Sequence, residues 1–269
     1  MCPARNPAIL FPSKGGISIQ KLIEQKLKEL EQQQNIRILR AVESGSRAWG
    51  FPSPDSDYDV RFFYIRPRDN YLKLEKTRDT IELPINDLLD INGWDLKKAL
   101  QLLHGANPTL FEWMASPIVY LDTDFTEAFR PLTEGYFSPL KSFWHYHSTA
   151  ERHRQAYLKG ETVKAKKYFY MLRPLLACKW VLEKQTPPPM LFRDLVDAEL
   201  EPALRPAVEH LLDLKINAPE VKVIPRVKEI DCYLDENLAA FKERAASFPE
   251  GREADWEPLN AFFLKMLAE

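Results

Sequence analysis

A pair of aspartates and a small dipeptide upstream of it are the residues of this chain that suggest chemistry. Asp57 and Asp59 are separated by one residue, and residues 47–56 separate them from Gly45-Ser46. Alternate residues of a β-strand point to one face, so the two carboxylates would project together and repel each other unless a cation lies between them. Divalent metal ions suit such a pair, and a glycine turn lets backbone N–H groups approach phosphate oxygens. The combination predicts phosphoryl or nucleotidyl transfer.

Two predicted strands position these residues. Residues 36–42 are mostly apolar and predict a strand that leads directly into the Gly-Ser turn. Residues 58–65 predict a second strand, in which apolar Val60 alternates with Asp59 and Arg61. Arg61 therefore falls on the same face as the two aspartates, where it could orient a carboxylate or contact substrate, or form a structural ion pair.

The order of the predicted elements indicates two units. The first contains, in chain order, a helix over 17–34, the two strands above, strands over 80–83 and 88–93, a helix that Asp95 begins as N-cap, a helix over 109–115 and a strand over 118–121. Strand signals nearly vanish beyond about residue 134, and helices are predicted over 139–159, 163–184, 204–214, 227–246 and 258–267. We therefore predict an N-terminal α/β unit of residues 1–134 and a C-terminal helical unit of residues 135–269, with a ligand cleft between them.

Composition excludes several classes of protein. The chain has 269 residues, a net charge of −2 and 45% hydrophobic residues, which is ordinary for a globular protein. No apolar run approaches membrane-spanning length, and the three cysteines have neither disulfide nor zinc spacing, so a reducing cytoplasmic location is expected. Because no overall basic charge attracts nucleic acid, any RNA contact must come from a local patch. Nucleophile-elbow, Walker A and dinucleotide motifs are absent from the sequence.

Several short motifs together resemble a known family. These are Gly45-Ser46, the run from Asp57 to Tyr64, the run from Asp90 to Leu96, Asn107-Pro108 and Glu112-Trp113. They are similar to the polymerase-β-type nucleotidyltransferase superfamily, and within it to the bacterial and phage branch that is associated with RNA ligases in RNA repair. The resemblance covers roughly residues 36–182. It implies an α+β fold, with an N-terminal polymerase-β-like mixed sheet and flanking helices followed by a C-terminal all-helical domain.

The resemblance also implies a set of metal ligands. Asp57 and Asp59 would bridge two Mg²⁺ ions, with Mn²⁺ as a possible substitute, and a third carboxylate would come from a later neighbouring strand. Asp90 is the preferred candidate, because it is an acid within an apolar strand, and Asp87 and Glu82 are the rivals. Asp57, Asp59 and Asp90 are therefore the predicted catalytic residues.

The predicted nucleotide contacts begin at the dipeptide. Gly45 and Ser46 would hold the triphosphate through backbone N–H groups and the hydroxyl. Arg47 could contact a phosphate, or be an exposed cation beside an acidic site. Trp49 is expected to be core or cleft wall rather than a stacking platform for a base.

A basic face of the helical unit supplies the other predicted contacts. On a helix, Lys166, Tyr170 and Arg173 share one face, and Lys167 borders it. Members of the superfamily commonly use Lys and Tyr of the helical unit to hold the triphosphate tail, so the resemblance assigns Lys167, Tyr170 and Arg173 to nucleotide binding. The alternative is a solvated charged face.

The sequence as a whole predicts a metal-dependent, NTP-dependent nucleotidyltransferase. It would transfer a nucleoside monophosphate (NMP) to a hydroxyl acceptor, and by resemblance the acceptor is an RNA end, such as a tRNA fragment. A protein hydroxyl or a small molecule remains open as acceptor. The alternative from another class is a binding module of the same fold, or a toxin–antitoxin component that acts on or neutralises a protein partner.

Overall fold

The structure is a computed structural model that describes residues 13–14, 17–84, 88–217, 222–246, 248 and 254–269. Asp87, one of the rival third carboxylates, lies outside the described residues. The fold is α+β, as predicted: a mixed sheet with flanking helices is followed by a mainly helical region.

The strands form one sheet and two small ribbons. In chain order they are β1 Ser13–Lys14, β2 Ile17–Ser18, β3 Arg37–Glu43, β4 Tyr58–Ile65, β5 Thr80–Glu82, β6 Leu89–Asp95, β7 Val119–Asp122, β8 Thr162–Lys164 and β9 Val223–Pro225. The five-stranded sheet has the order β5-β6-β4-β3-β7. Only its β4–β6 pair is parallel; β3 pairs with β4 and β7, and β5 with β6, in antiparallel orientation.

Helices cover both faces of the sheet and build the second unit. In chain order they are α1 Ile19–Gln34, α2 Gly45–Ala48, α3 Leu96–His104, α4 Pro108–Ala115, α5 Phe125–Tyr136, α6 Pro139–Tyr157, α7 Ala165–Lys184, α8 Phe192–Glu199, α9 Arg205–Asn217, α10 Lys228–Ala245 and α11 Glu257–Ala268. The predicted boundaries agree with most of these to within a few residues. Asp95 caps α3 as predicted, since its side chain accepts from the backbone N–H of Lys97 at 2.8 Å.

The alternation of β4 divides its side chains between two cores. Val60 and Phe62 pack with α1 on one face of the sheet. Phe63 faces the other way, into a cluster with α3, α4 and α5. Asp59 and Arg61 belong to this second face but lie closer to the beginning of the strand, where both remain partly exposed. The predicted alternation is thus confirmed, and it presents the polar residues at the edge of an apolar core.

The C-terminal region is not wholly helical. Its core lies around α7, which packs against α6, α8 and α10. The ribbon β8–β9 corrects two predictions: residues 163–164 are strand rather than the start of a helix, and the region is not all-helical. Val163 and Ile224 are buried on one side of the ribbon, so its pairing covers the first turn of α7.

The last helix, α11, lies with the N-terminal core. Leu259, Phe262 and Met266 join the cluster that covers the second face of the sheet, and Phe262 packs against Phe125 and Phe129 of α5. A division at residues 134/135 remains a prediction. The helix α11 follows that division in the sequence but packs against the core of the N-terminal unit. In the part of the chain that the structure describes, no helix has the length and apolar character needed to span a membrane.

Candidate active site

Gly45 and Asp59 lie in direct contact. The residues after β3 form the short helix α2 rather than the expected turn, and Gly45 begins it with a φ of 59°. A Cβ atom on Gly45 would lie 2.0 Å from Asp59 Oδ2. The Ser44 N–H donates to the Asp59 carbonyl at 2.8 Å, which fixes the start of α2 against β4. Only glycine fits here, because of both the positive φ and the carboxylate.

Asp90 lies beside Asp59 across the parallel pair of strands. The two residues are register partners in β4 and β6, and their side chains are 22% and 25% exposed. Arg61 bridges them: its Nη2 donates to Asp59 Oδ1 at 2.9 Å and to Asp90 Oδ2 at 2.8 Å. A cation between two adjacent carboxylates removes their mutual repulsion. The rival Glu82 is more exposed and pairs with Arg78 at 2.7 Å.

Asp57 precedes β4 and is half-buried. Among the described residues, no group of three or more acidic, histidine or cysteine side chains is already gathered as a metal site. The chemistry of the donors nevertheless fits Mg²⁺, because carboxylate oxygens are the ligands it prefers. Asp59 Oδ2 lies so close to Gly45 that a Cβ at position 45 would overlap it, so the start of α2 packs directly against this donor. Asp57, Asp59 and Asp90 are the residues that could hold the metal.

Glu43 is a buried carboxyl group that the sequence reasoning missed. It ends β3, is 0% exposed, and accepts the Asp59 N–H at 2.8 Å and the Tyr120 hydroxyl. Burial raises the pKa of Glu43 to about 7, although the hydrogen bonds from Tyr120 and from the Asp59 backbone oppose the shift. An acid at the end of an apolar strand, directly before a glycine turn, was the available signal. Through the bond from the Asp59 N–H, the buried Glu43 carboxyl group holds the backbone of Asp59 in place.

Arg47 ties the short helix to the segment that carries Asp57. Its Nε donates to the Asp57 carbonyl at 2.9 Å and its Nη2 to the Ser56 carbonyl at 2.6 Å, while the guanidinium stacks on Tyr58 at 3.7 Å. Ser46 Oγ donates to Ser56 Oγ at 3.2 Å. The predicted phosphate residues Ser46 and Arg47 therefore also brace the aspartate segment, and Arg47 as a phosphate ligand remains a prediction.

The helical unit contacts the residue that follows α2, Trp49. Tyr170 meets the Trp49 ring edge-on with centroids 6.1 Å apart. The Lys167 ammonium lies 4.7 Å from the centroid of Tyr170 and 4.1 Å from that of Tyr157. Lys167 and Tyr170 are half-buried rather than fully solvated. These contacts bring Tyr170, and Lys167 beside it, towards Trp49 at the end of α2. Trp49 itself packs against the core of the helical unit, which is one of the two positions expected for it.

Arg173 departs from the expected open basic face. It is 4% exposed, and its Nη1 donates to Glu112 Oε1 at 2.8 Å, the same oxygen that accepts the Tyr146 hydroxyl at 3.1 Å. Its guanidinium also stacks on Trp49 at 4.7 Å. The expected basic face of α7 is thus buried at Arg173, where Glu112 of α4 and Trp49 contact the guanidinium. Arg173 joins the two units, and its role in nucleotide binding remains a prediction.

The segment between the dipeptide and the aspartates is rooted in the helical core. Phe51 packs between Phe169 and Phe192, with centroids 4.8 and 5.4 Å away, and the Trp49 carbonyl accepts the Phe192 N–H at 3.0 Å. Lys215 of α9 is 4% exposed and donates to Ser53 Oγ. Sequence reasoning missed Lys215, because a lysine near the end of an amphipathic helix is usually solvated. The helical unit therefore anchors this segment.

Comparisons with known proteins found a related family, a related sequence and a related structure. Over residues 19–265 the chain matches the RNA repair pathway DNA polymerase beta family. The protein YcgL of Bacillus subtilis (strain 168) is 42% identical over 252 residues, 93% of this chain and 96% of that protein. A solved nucleotidyltransferase-like protein from Exiguobacterium sibiricum 255-15 is 13% identical, with coverage of 84% of this chain and 75% of that one and a TM-score of 0.31. Because the family match spans most of the sequence, this protein belongs to the RNA repair pathway DNA polymerase beta family, a group of polymerase-β-type nucleotidyltransferases.

Proposed function

We propose that this protein transfers a nucleoside monophosphate from an NTP to a hydroxyl at an RNA end, with release of pyrophosphate. The observation that carries the proposal is the convergence of Gly45, Asp59 and Asp90. Gly45, which has no Cβ and begins α2, lies against a carboxylate oxygen of Asp59, and the carboxylate of Asp90 lies next to that of Asp59 in the sheet. This arrangement suits a polyphosphate on one side and divalent metal on the other.

In the proposed reaction, the acceptor oxygen forms a bond to the α-phosphorus while the bond from that phosphorus to the bridging oxygen breaks. Pyrophosphate leaves with the electron pair, and the hydroxyl proton passes to Asp90. Asp57, Asp59 and Asp90 would hold two Mg²⁺ ions, which supply charge neutralisation at the attacking and leaving oxygens. Glu43 and Arg61 hold the backbone of Asp59 and the pair of carboxylates in place.

The remaining residues bind and orient the nucleotide. Backbone N–H groups at Gly45 and Ser46, with the Ser46 hydroxyl, would hold phosphate oxygens. Lys167 and Tyr170 approach from the helical unit, where Lys167 offers a positive charge to the triphosphate tail. Transfer requires the acceptor, the phosphorus and the leaving group to be in line, so positioning supplies much of the rate.

The RNA acceptor is supported by the family to which the chain belongs. The net charge of −2 argues against extensive wrapping of RNA around the protein, so a single end is the better substrate. The test is incubation with each NTP labelled at the α-phosphate, Mg²⁺ and total RNA or lysate. Wild type is compared with Asp59→Asn and with Asp124→Asn, which changes an exposed acid away from the site.

Label that appears on RNA with wild type and Asp124→Asn, but not with Asp59→Asn, is the expected result. Label on protein instead would replace RNA by a partner protein as acceptor. No label on any acceptor with any of the four NTPs would overturn the proposal in favour of a binding module.

A further inference from the structure

We infer that Arg61 is a positioning residue that holds the Asp59–Asp90 pair in its metal-free state and makes divalent metal binding depend on the nucleotide. The inference deepens the proposed function and rests on it. Arg61 touches both carboxylates through one nitrogen, at 2.9 and 2.8 Å. Its side chain is 17% exposed, so these ion pairs are only partly screened by water.

The guanidinium is held in place independently of the carboxylates. Arg61 Nη1 donates to the carbonyl of Asp90 at 2.8 Å and to that of Val60 at 3.1 Å. These bonds attach the side chain to the backbones of both parallel strands. The positive charge therefore stays between Asp59 and Asp90 when the carboxylates turn towards another partner.

A fixed positive charge next to the ligands has two opposite effects. It stabilises the metal-free acid pair, because adjacent ionised carboxylates otherwise repel each other. It also repels a divalent cation that binds to the same oxygens. Asp57, Asp59 and Asp90 carry three negative charges, and Arg61 offsets one of them. The phosphates of an NTP restore the missing negative charge, so metal and nucleotide bind together, whereas metal alone binds weakly.

The two functions of Arg61 require different properties. The bonds to two carboxylates and two carbonyls require the planar, forked guanidinium, which lysine lacks. The repulsion of a metal requires only the positive charge. Arg61→Lys should therefore weaken the metal-free structure while it keeps the weak metal affinity, and Arg61→Gln should change both.

The test is a calorimetric titration of wild type, Arg61→Gln and Arg61→Lys. Each protein is titrated with Mg²⁺ alone and with Mg²⁺ in the presence of a non-hydrolysable NTP analogue. Thermal melts in EDTA accompany it. Arg40→Gln is the matched control, because Arg40 is a buried arginine of the same sheet that pairs with Asp122 of the edge strand β7 at 2.7 Å rather than with Asp59 or Asp90.

Arg61→Gln should bind Mg²⁺ alone about tenfold more tightly than wild type, the effect of removing one like charge close to the metal. Its melting temperature in EDTA should fall by about 2–4 °C. Arg40→Gln should lower the melting temperature without changing the affinity for Mg²⁺. An Arg61→Gln protein whose Mg²⁺ affinity equals or falls below that of wild type overturns the inference, as does an Arg61→Lys protein that binds Mg²⁺ as tightly as Arg61→Gln.

The labelled-NTP assay separates this inference from the proposed function. Absence of transfer by wild type, together with tighter Mg²⁺ binding by Arg61→Gln, would reject the transfer reaction and leave the role of Arg61 standing. Transfer by wild type with no metal effect in Arg61→Gln would do the reverse.

Discussion

Adding one methyl group at Gly45 tests the geometry of the site most directly. In Gly45→Ala the new Cβ would lie 2.0 Å from Asp59 Oδ2 and 2.9 Å from its Cγ, distances that real Cβ atoms do not show. The carboxylate must therefore shift by about 1 Å, and a misplacement of that size can lower a rate about a hundredfold. The φ of 59° adds about 1 kcal/mol of backbone strain for a residue with a Cβ.

We therefore expect Gly45→Ala to lower kcat/KM for NMP transfer about a hundredfold and to destabilise the fold by about 1–2 kcal/mol. Steady-state kinetics and thermal melts measure the two effects. Gly135→Ala is the matched control, because a Cβ there meets no atom within 4 Å and the residue lies in a helix. Full activity and an unchanged melting temperature in Gly45→Ala would show that Asp59 Oδ2 does not lie against Gly45 in the active protein.

Three further predictions concern residues around this contact. Burial keeps the pKa of Glu43 at about 7 against 4.5 unfolded, so its contribution to stability is full below about pH 4.5 and is lost as the pH rises through 7. Across that pH window the free energy of unfolding of wild type should fall by up to about 3 kcal/mol, and that of Glu43→Gln should not, as measured by urea unfolding in EDTA. Parallel pH curves for the two proteins would contradict this. Lys167→Ala should raise KM for NTP about tenfold with little change in kcat, whereas the control Lys97→Ala, at an exposed site, should not. An unchanged KM would show that Lys167 does not contact the nucleotide. Lys215→Met should lower kcat/KM about tenfold, because Lys215 fixes Ser53 in the segment before Asp57; unchanged kinetics would show that this contact serves stability alone.

The parts of the site that lie close in sequence were predictable. The shared face of Asp59 and Arg61 follows from strand alternation. The motif spacing indicated that Gly45 and Asp59 belong to one site, but not that they touch. The neighbouring position of Asp90 came from the family resemblance, and strand register confirms it. Glu43 and Lys215 were missed, because sequence alone does not reveal that a polar side chain is buried against a distant element.

The fold was predictable where local periodicity dominates. The whole of β4 was predicted correctly, because its first four residues alternate between polar and apolar and its last four are all aromatic or aliphatic. The helix α5 was missed because Pro131 interrupts its pattern, although α3 and the sheet still bury Phe125 and Phe129. The ribbon β8–β9 pairs segments about sixty residues apart, so neither strand has a strong local signal.

The position of α11 affects when the apolar core of the sheet can be completed during synthesis. Leu259, Phe262 and Met266 join the apolar layer over the sheet that carries Asp59, yet they are synthesised after α6 to α10 of the helical unit. During translation this side of the N-terminal sheet stays partly uncovered until α11 has been synthesised, because a ribosome adds only about 5–20 residues per second. The core over this sheet is therefore expected to close only after α11 has emerged, and ribosome-bound chains that lack α11 should recruit chaperones through the exposed apolar surface.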